Sequence, residues 1–257
     1  MIKPDVHMEL WNAFNDISFN EPDHKYTDSK GTEYRSATGW IKQFEPDTDW
    51  DGIKKRKAEK EGISVEELSK QWERKGDYAT NLGTQVHSVM EYIWQKKNYN
   101  FDKRLNEQFP EMEEDFNYRK GVCKQIYDKM KQIYVPIANE FIVYDQPNGI
   151  CGTIDFIAYN TKKDCFSIID WKTSRKFDTG NQYSKYMKDP FGHVISCNTA
   201  EYSLQLSLYK YILEKYTSLK IGELVLFQIP GKENPMPQVY RCMDFSSQIA
   251  DYFNNKK

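Results

Sequence analysis

Residues 149–172, GICGTIDFIAYNTKKDCFSIIDWK, leave this chain few ways to fold. Two apolar runs, CGTIDFIAY and CFSIIDWK, flank the polar segment NTKKD. Short runs rich in β-branched and aromatic residues, bounded by turn formers, read as strands. The spacing therefore predicts a β-hairpin. Each strand carries an acid in an apolar setting, Asp155 in the first and Asp170 in the second, and Lys172 follows Asp170 by two. Residues i and i+2 of a strand share a face, so Asp170 and Lys172 project together and Trp171 points the other way. Charges on half-buried strands are costly unless paired or bound to a metal ion. One stretch thus carries both a fold signal and a chemical one.

The segments on either side are mostly helical. Residues 5–16 read as a short helix, and HKYTDSKGTEYRSAT as a hairpin turning at Ser29-Lys30-Gly31. Ser36 or Thr38 caps a short helix through Trp40 and Phe44. Residues 50–60 form a basic helix whose lysines face either phosphate or, more plainly, solvent. A capping box at Ser64–Glu67 opens a second helix to about Lys75. Residues 77–97 carry Tyr78, Leu82, Val86, Val89 and Ile93 at helical spacing, with His87 and Glu91 as i,i+4 neighbours on the next stripe. Gly83 lies one turn before His87. A glycine costs a helix interior about 1 kcal/mol relative to alanine, which points to a close approach there or to tight packing.

A long helix is expected over 111–134, then a strand EFIVYD (140–145) beginning at Glu140, then the hairpin. Residues 173–199 lack periodicity, as functional or mobile segments do. A helix over 199–219, capped by Asn198 or Thr199, places Gln205 and Tyr209 on one stripe. Strands at 223–230 and 237–245 and a short helix over 246–257 close the chain.

Composition narrows the function classes. With 36 basic and 38 acidic residues in 257, the net charge of −2 gives no global attraction to nucleic acid; a local patch or bound cations must supply it. The opening MIKPDVHMEL has no apolar signal core, and no run of eighteen apolar residues occurs, so a soluble, intracellular (cytoplasmic) protein is expected. Five scattered cysteines without a CxxC pair argue against a disulfide framework, a zinc knuckle or an iron–sulfur cluster.

The order helix, three strands, helix, strand (αβββαβ) carries Glu140, Asp155, Asp170 and Lys172 along it. GTID, then DWK fifteen residues on, resembles the PD-(D/E)XK nuclease superfamily. The upstream NLGTQVHSVME and the downstream QLSLY resemble its RecB-like branch, which includes phage exonucleases and a mitochondrial genome-maintenance exonuclease. The resemblance covers roughly residues 77–230. It implies an α/β, restriction-endonuclease-like core, a mixed central sheet flanked by helices. Residues 77–257 would form that core, with residues 1–76 as an N-terminal hairpin and helical elaboration packed on it in one compact unit.

It also implies a site. Asp155 and Asp170 would hold Mg2+ or Mn2+, one or two ions, with the backbone carbonyl of Trp171 and His87, and with Glu140 as an additional acid. Hard oxygen ligands suit these ions, and imidazole favours Mn2+. Lys172 would position or activate the attacking water, its pKa lowered by nearby cations. Gln205 and Tyr209 would support the site and contact DNA; Ser174, Arg175 and Lys176 would hold phosphate. Trp40, Trp50, Trp72, Tyr183 and Tyr186 are candidates for stacking on bases.

The function so implied is a metal-dependent DNA exonuclease acting from ends, single-stranded or duplex, in recombination, repair or replication. A recombination or single-strand-binding protein would be its partner. An endonuclease using the same site and a non-catalytic nucleic-acid-binding protein are the competing readings.

Overall fold

The computed structural model describes residues 6–20, 23 and 25–255. Residue 5 of the expected first helix, residue 24 of the expected hairpin and residues 256–257 of the expected last helix lie outside these. Helix α1 (Val6–Ala13) precedes an antiparallel meander of β1 (Ile17–Asn20), β2 (Lys25–Asp28) and β3 (Glu33–Ser36). The β2–β3 turn forms where expected. Asp28 Oδ1 accepts from the N–H groups of Lys30 and Thr32, at 3.0 and 2.8 Å, and Gly31 takes φ +81°. Ser36 caps α2 (Ala37–Ile41) by accepting from Gly39 N–H. Helix α3 (Trp50–Glu61) ends on Gly62 at φ +68°.

The helices expected over 64–75 and 77–97 are one, α4 (Val65–Trp94), opened by Ser64 accepting from Glu67 N–H. Gly76 does not break it, because a lone glycine weakens a helix without supplying a cap for its end. Helix α5 (Met112–Met130) stops short of the predicted end, and β4 (Tyr134–Asp145) is twice the expected length. Val135 and Pro136 belong to the strand, which absorbs the proline with a register shift between Pro136 and Ala138. The hairpin of β5 (Ile150–Asn160) and β6 (Cys165–Lys172) follows as expected. Helix α6 (Asn198–Tyr216), β7 (Ile221–Gln228), β8 (Val239–Arg241) and α7 (Ser246–Asn254) complete the order. Neither Asn198 nor Thr199 caps α6. Both side chains bond the backbone of Asp178 instead and tie the irregular segment to the helix.

Among the described residues eight strands form one sheet. β5 pairs antiparallel with β4 along its length, and β6 runs parallel to β7, as a helical crossover through α6 requires. On its other edge β5 has two partners in turn: β3, parallel, at Ile150 and Cys151, and β6, antiparallel, from Phe156 to Asn160. Helices α4 and α5 cover one face, where Leu82, Val86 and Phe116 share a core with Trp171 of the sheet; α2, α6 and α7 cover the other, where Leu204 and Phe253 share a core with Ile154 and Ile168. This is the mixed α/β, restriction-endonuclease-like architecture expected. Among the described residues no helix is long and apolar enough to cross a membrane.

Two glycines separate packing from convenience. A Cβ on Gly152 would lie 2.6 Å from the Tyr209 ring and hydroxyl, while one on Gly83 meets only Thr173 Oγ1 at 3.6 Å, an ordinary contact. Gly152→Ala is expected to cost about 1–3 kcal/mol by overpacking and to lower Tm by several degrees. Gly83→Ala should leave Tm unchanged or raise it. Calorimetric melts of both variants check this; equal Tm values would remove the Tyr209 contact as a constraint.

Candidate metal centre and active site

The site lies where β6 parts from β5. Their last paired residues are Phe156 and Ile169. Beyond them the N–H of Trp171 donates to Asp155 Oδ2 at 2.8 Å, so a side-chain carboxylate replaces the backbone acceptor a continued ladder would supply. β6 meanwhile stays paired with β7 as far as Lys172 and Gln228. The strand alternation holds. Trp171 packs with Phe156 and Phe227 under α4 and α5. Asp170 and Lys172 face α6, where Lys172 Nζ stands 4.3 Å from the centre of the Tyr202 ring.

His87, Glu140 and Asp155 place one ligand atom each within 4.8 Å of one another. His87 Nδ1 is 3.4 Å from Asp155 Oδ2 and 4.0 Å from Glu140 Oε1. Ligands of an octahedral ion at 2.0–2.1 Å stand about 3.0 Å apart when adjacent and about 4.2 Å when opposite, so the two separations suit a divalent cation. Val86, Val89 and Met90, all buried, fix the turn of α4 that carries His87. Glu140 is not at a strand start. It sits mid-strand between the pairs Asn139–Phe156 and Phe141–Ile154, opposite Asp155, with φ +45°. A non-glycine residue in that region costs about 1–3 kcal/mol. The strain accompanies a carboxylate placed against two other acids.

Asp170 is outside the close group. Lys172 Nζ holds it, at 3.0 Å from Oδ1 and 2.8 Å from Oδ2; the Oδ2 contact lacks hydrogen-bond geometry, which leaves a buried carboxylate oxygen without a hydrogen bond. Such an atom, facing the same fork as the three-residue group, fits a cation's needs. Burial pushes the Asp170 carboxyl up, against the pull of the Lys172 ammonium. The lowered pKa expected of Lys172 belongs to a site that holds cations; the ion-free site has a different balance. Burial lowers the Lys172 pKa, but the charges of Asp170 and Asp155 outweigh burial and the net shift is upward. The ammonium is charged in the ion-free site.

The remaining candidates take different places. Tyr209 is buried at 3% exposure over Gly152, and its hydroxyl accepts from Gln205 Nε2 at 3.1 Å; the ring is a wall of the site, closed off from an incoming strand. Arg175 and Lys176 are exposed and pair with Glu233 and Asp178. The Trp171 contact seen at Asp155 is made by its N–H. Of the stacking candidates, Trp40 is core against Phe44 and Phe253, Trp72 is half-buried, and Trp50, Tyr183 and Tyr186 are exposed.

Three residues of the site escaped sequence reasoning. Tyr202 lies three residues before Gln205 on its helical stripe, a spacing that was readable. Buried Arg119 donates to the carbonyls of Thr173 and Ile229 and to Asp115, holding the chain just past Lys172. Its signal was a charge between the apolar positions Phe116 and Cys123. Tyr26 bonds Thr153 Oγ1 at 3.0 Å across 127 residues, a contact no local pattern encodes.

The fold and this fork of acids and lysine define a class, an α/β metal-dependent nuclease of restriction-endonuclease-like architecture. The comparison with known families is specific. Residues 63–255 match the PD-(D/E)XK nuclease superfamily, and the chain belongs to it. No curated protein matches the chain. Nucleases of this superfamily use divalent metal ions, and the His87, Glu140 and Asp155 group can hold one.

Burial in the cleft, followed by the charges of Asp155, Glu91 and Asp170, pushes the Glu140 carboxyl up to about 9. A carboxyl raised in the folded state favours folding while it is protonated. The ion-free protein should therefore lose stability as pH climbs from about 4.5 toward 9, and Glu140→Gln should remove part of that loss. A cation must displace the same proton, so Mn2+ affinity should rise over this range. Melts in EDTA from pH 5 to 9 and calorimetric Mn2+ titrations test both. The variant should melt higher than wild type at pH 8 and bind Mn2+ at least tenfold more weakly. Unchanged Mn2+ affinity would place Glu140 outside the centre.

Proposed function

We propose that this chain is a metal-dependent DNA exonuclease that hydrolyses phosphodiester bonds from DNA ends and serves recombination, repair or replication. The observation that carries the reading is the Asp155 carboxylate, shared between the Trp171 N–H and the His87–Glu140 pair, at a fork whose other strand presents Asp170 and Lys172. His87, Glu140, Asp155 and Asp170 are the proposed ligands of Mg2+ or Mn2+, with the Trp171 carbonyl as the family resemblance implies.

A divalent ion there would polarise the phosphate and stabilise the leaving oxygen. The protein's own groups account for the rest. The Lys172 ammonium, paired with Asp170, would stand beside the reacting phosphate and offset the negative charge that develops on it. Tyr202 and Asp170 hold that ammonium in place. Asp155 is fixed by a backbone N–H on Oδ2, the oxygen that stands 3.4 Å from His87 Nδ1, so the carboxylate is held beside the histidine without reorganisation. Tyr209, locked over Gly152, sets the position of Gln205 at the edge of the site.

The end-directed reading draws support from the histidine on the helix before the core and from the Gln205–Tyr209 pair on the helix after it. Both resemble the RecB-like branch.

The experiment is a gel series with Mg2+ or Mn2+ on end-labelled single strands, blunt duplex and covalently closed circles. Linear DNA should shorten from its ends while circles persist, and Lys172→Ala should slow hydrolysis at least about 100-fold. Cleavage of circles would establish the endonuclease instead. No hydrolysis with either ion would overturn the catalytic reading.

A further inference from the structure

A groove of about 1150 Å3 starts at Thr173, next to Lys172, and runs between α4, the first turn of α5 and residues 230–234 after β7. It exceeds the usual range of small-ligand pockets, about 300–1,000 Å3. Its floor is fixed. The carbonyl of Lys172 accepts from Ile229 N–H, that of Thr173 from Arg119, and those of Ser174 and Arg175 from Gln228 Nε2 at 2.8 Å each. The chain leaving the site is therefore held as one rigid lip.

Five basic and four acidic side chains line the groove, and three of the basic groups at its rim are covered by acids. Arg74 pairs with Glu111 at 2.9 Å, Arg175 with Glu233 at 3.1 Å, and Lys232 with Glu114. Each pair joins different elements, and all six side chains are at least half exposed. Exposed pairs of this kind contribute little to stability, so exchanging a carboxylate for another anion costs little. A polynucleotide strand offers such anions in series, and its binding releases counterions, a gain a single carboxylate lacks. Lys75 adds a cation to the same wall.

We infer that this groove is the track for one nucleic-acid strand next to the catalytic fork, with Arg74, Arg175 and Lys232 masked by acids that the phosphates displace. The inference rests on the nuclease reading and adds to it the surface that holds the strand. It accounts for a nucleic-acid enzyme with a net charge of −2: the phosphate-binding charge is present but neutralised until substrate arrives.

The test is a gain of binding, which misfolding does not produce. A fluorescent single-stranded oligonucleotide is titrated, with anisotropy as the readout, in EDTA and again with Mg2+ in the Lys172→Ala background. Glu111→Gln with Glu233→Gln should tighten binding about three- to tenfold. It should also steepen the slope of log K against log salt by up to about 1.4, roughly 0.7 for each phosphate gained. Glu33→Gln with Asp128→Asn frees Lys25 and Lys131 elsewhere for the same change in net charge and serves as the control. Equal tightening by control and groove variants, or none by the groove variants, overturns the track. Either result in a chain that still cleaves linear DNA leaves the nuclease reading standing. Absence of cleavage in the wild type counts against that reading instead.

Discussion

Everything at the site depends on one substituted hydrogen bond. β-sheets normally satisfy each backbone N–H with a carbonyl of the neighbouring strand. At Trp171 the acceptor is Asp155 Oδ2. The substitution lets β6 leave β5 after the Phe156–Ile169 pair without orphaning a buried donor, and the wedge so opened holds the candidate metal centre. It also places one carboxylate oxygen within reach of His87 from the α4 layer, while Asp170 and Lys172 face the α6 layer. A regular hairpin could not present groups from both faces of the sheet to one centre.

The charges gathered there are costly, and the surroundings are arranged to tolerate them. Asp170, 4% exposed, is matched by Lys172, whose ammonium lies over the Tyr202 ring. Glu140 takes a backbone conformation that non-glycine residues avoid and a protonation state far from that of a free carboxylate. Its strain is sustained because β4 is paired with β5 on both sides of it over ten residue pairs. The ion-free site is thus a set of acids held closer than they would choose, which is what a cation of charge +2 relieves.

What was legible in the sequence follows the range of the forces involved. The hairpin, the Ser64 cap and the buried stripe of α4 are local patterns, and they stand as read. The DWK alternation is local too, so the opposition of Trp171 to Asp170 and Lys172 was readable. The join of two helices at Gly76, the early end of α5 and the extension of β4 back to Tyr134 were not. At Gly76 a lone glycine did not end the helix, and at β4 tertiary pairing outweighed local propensity, with Val135 and Pro136 opposite Tyr159 and Ala158. The convergence of Asp170 and Asp155 on Lys172, which raises its pKa in the ion-free site, exists only in three dimensions.

The same logic explains why strands ahead of the family match belong to the working core. Once β6 leaves, the edge of β5 from Ile150 to Asp155 lacks a partner, and an open central edge invites pairing with another chain. β3 takes the vacated edge at Ile150 and Cys151, although it precedes residue 63, where the superfamily match begins. Tyr26 then reaches Thr153, and Tyr209 closes over Gly152. Three unrelated segments thus seal the stretch of β5 that leads to Asp155. Only the carboxylate end of the gap stays open, between the last residue that β3 covers and the first that β6 covers. The opening of the fork and the closing of its far side are two halves of one requirement: a sheet edge can be surrendered for chemistry only where the rest of that edge is paired.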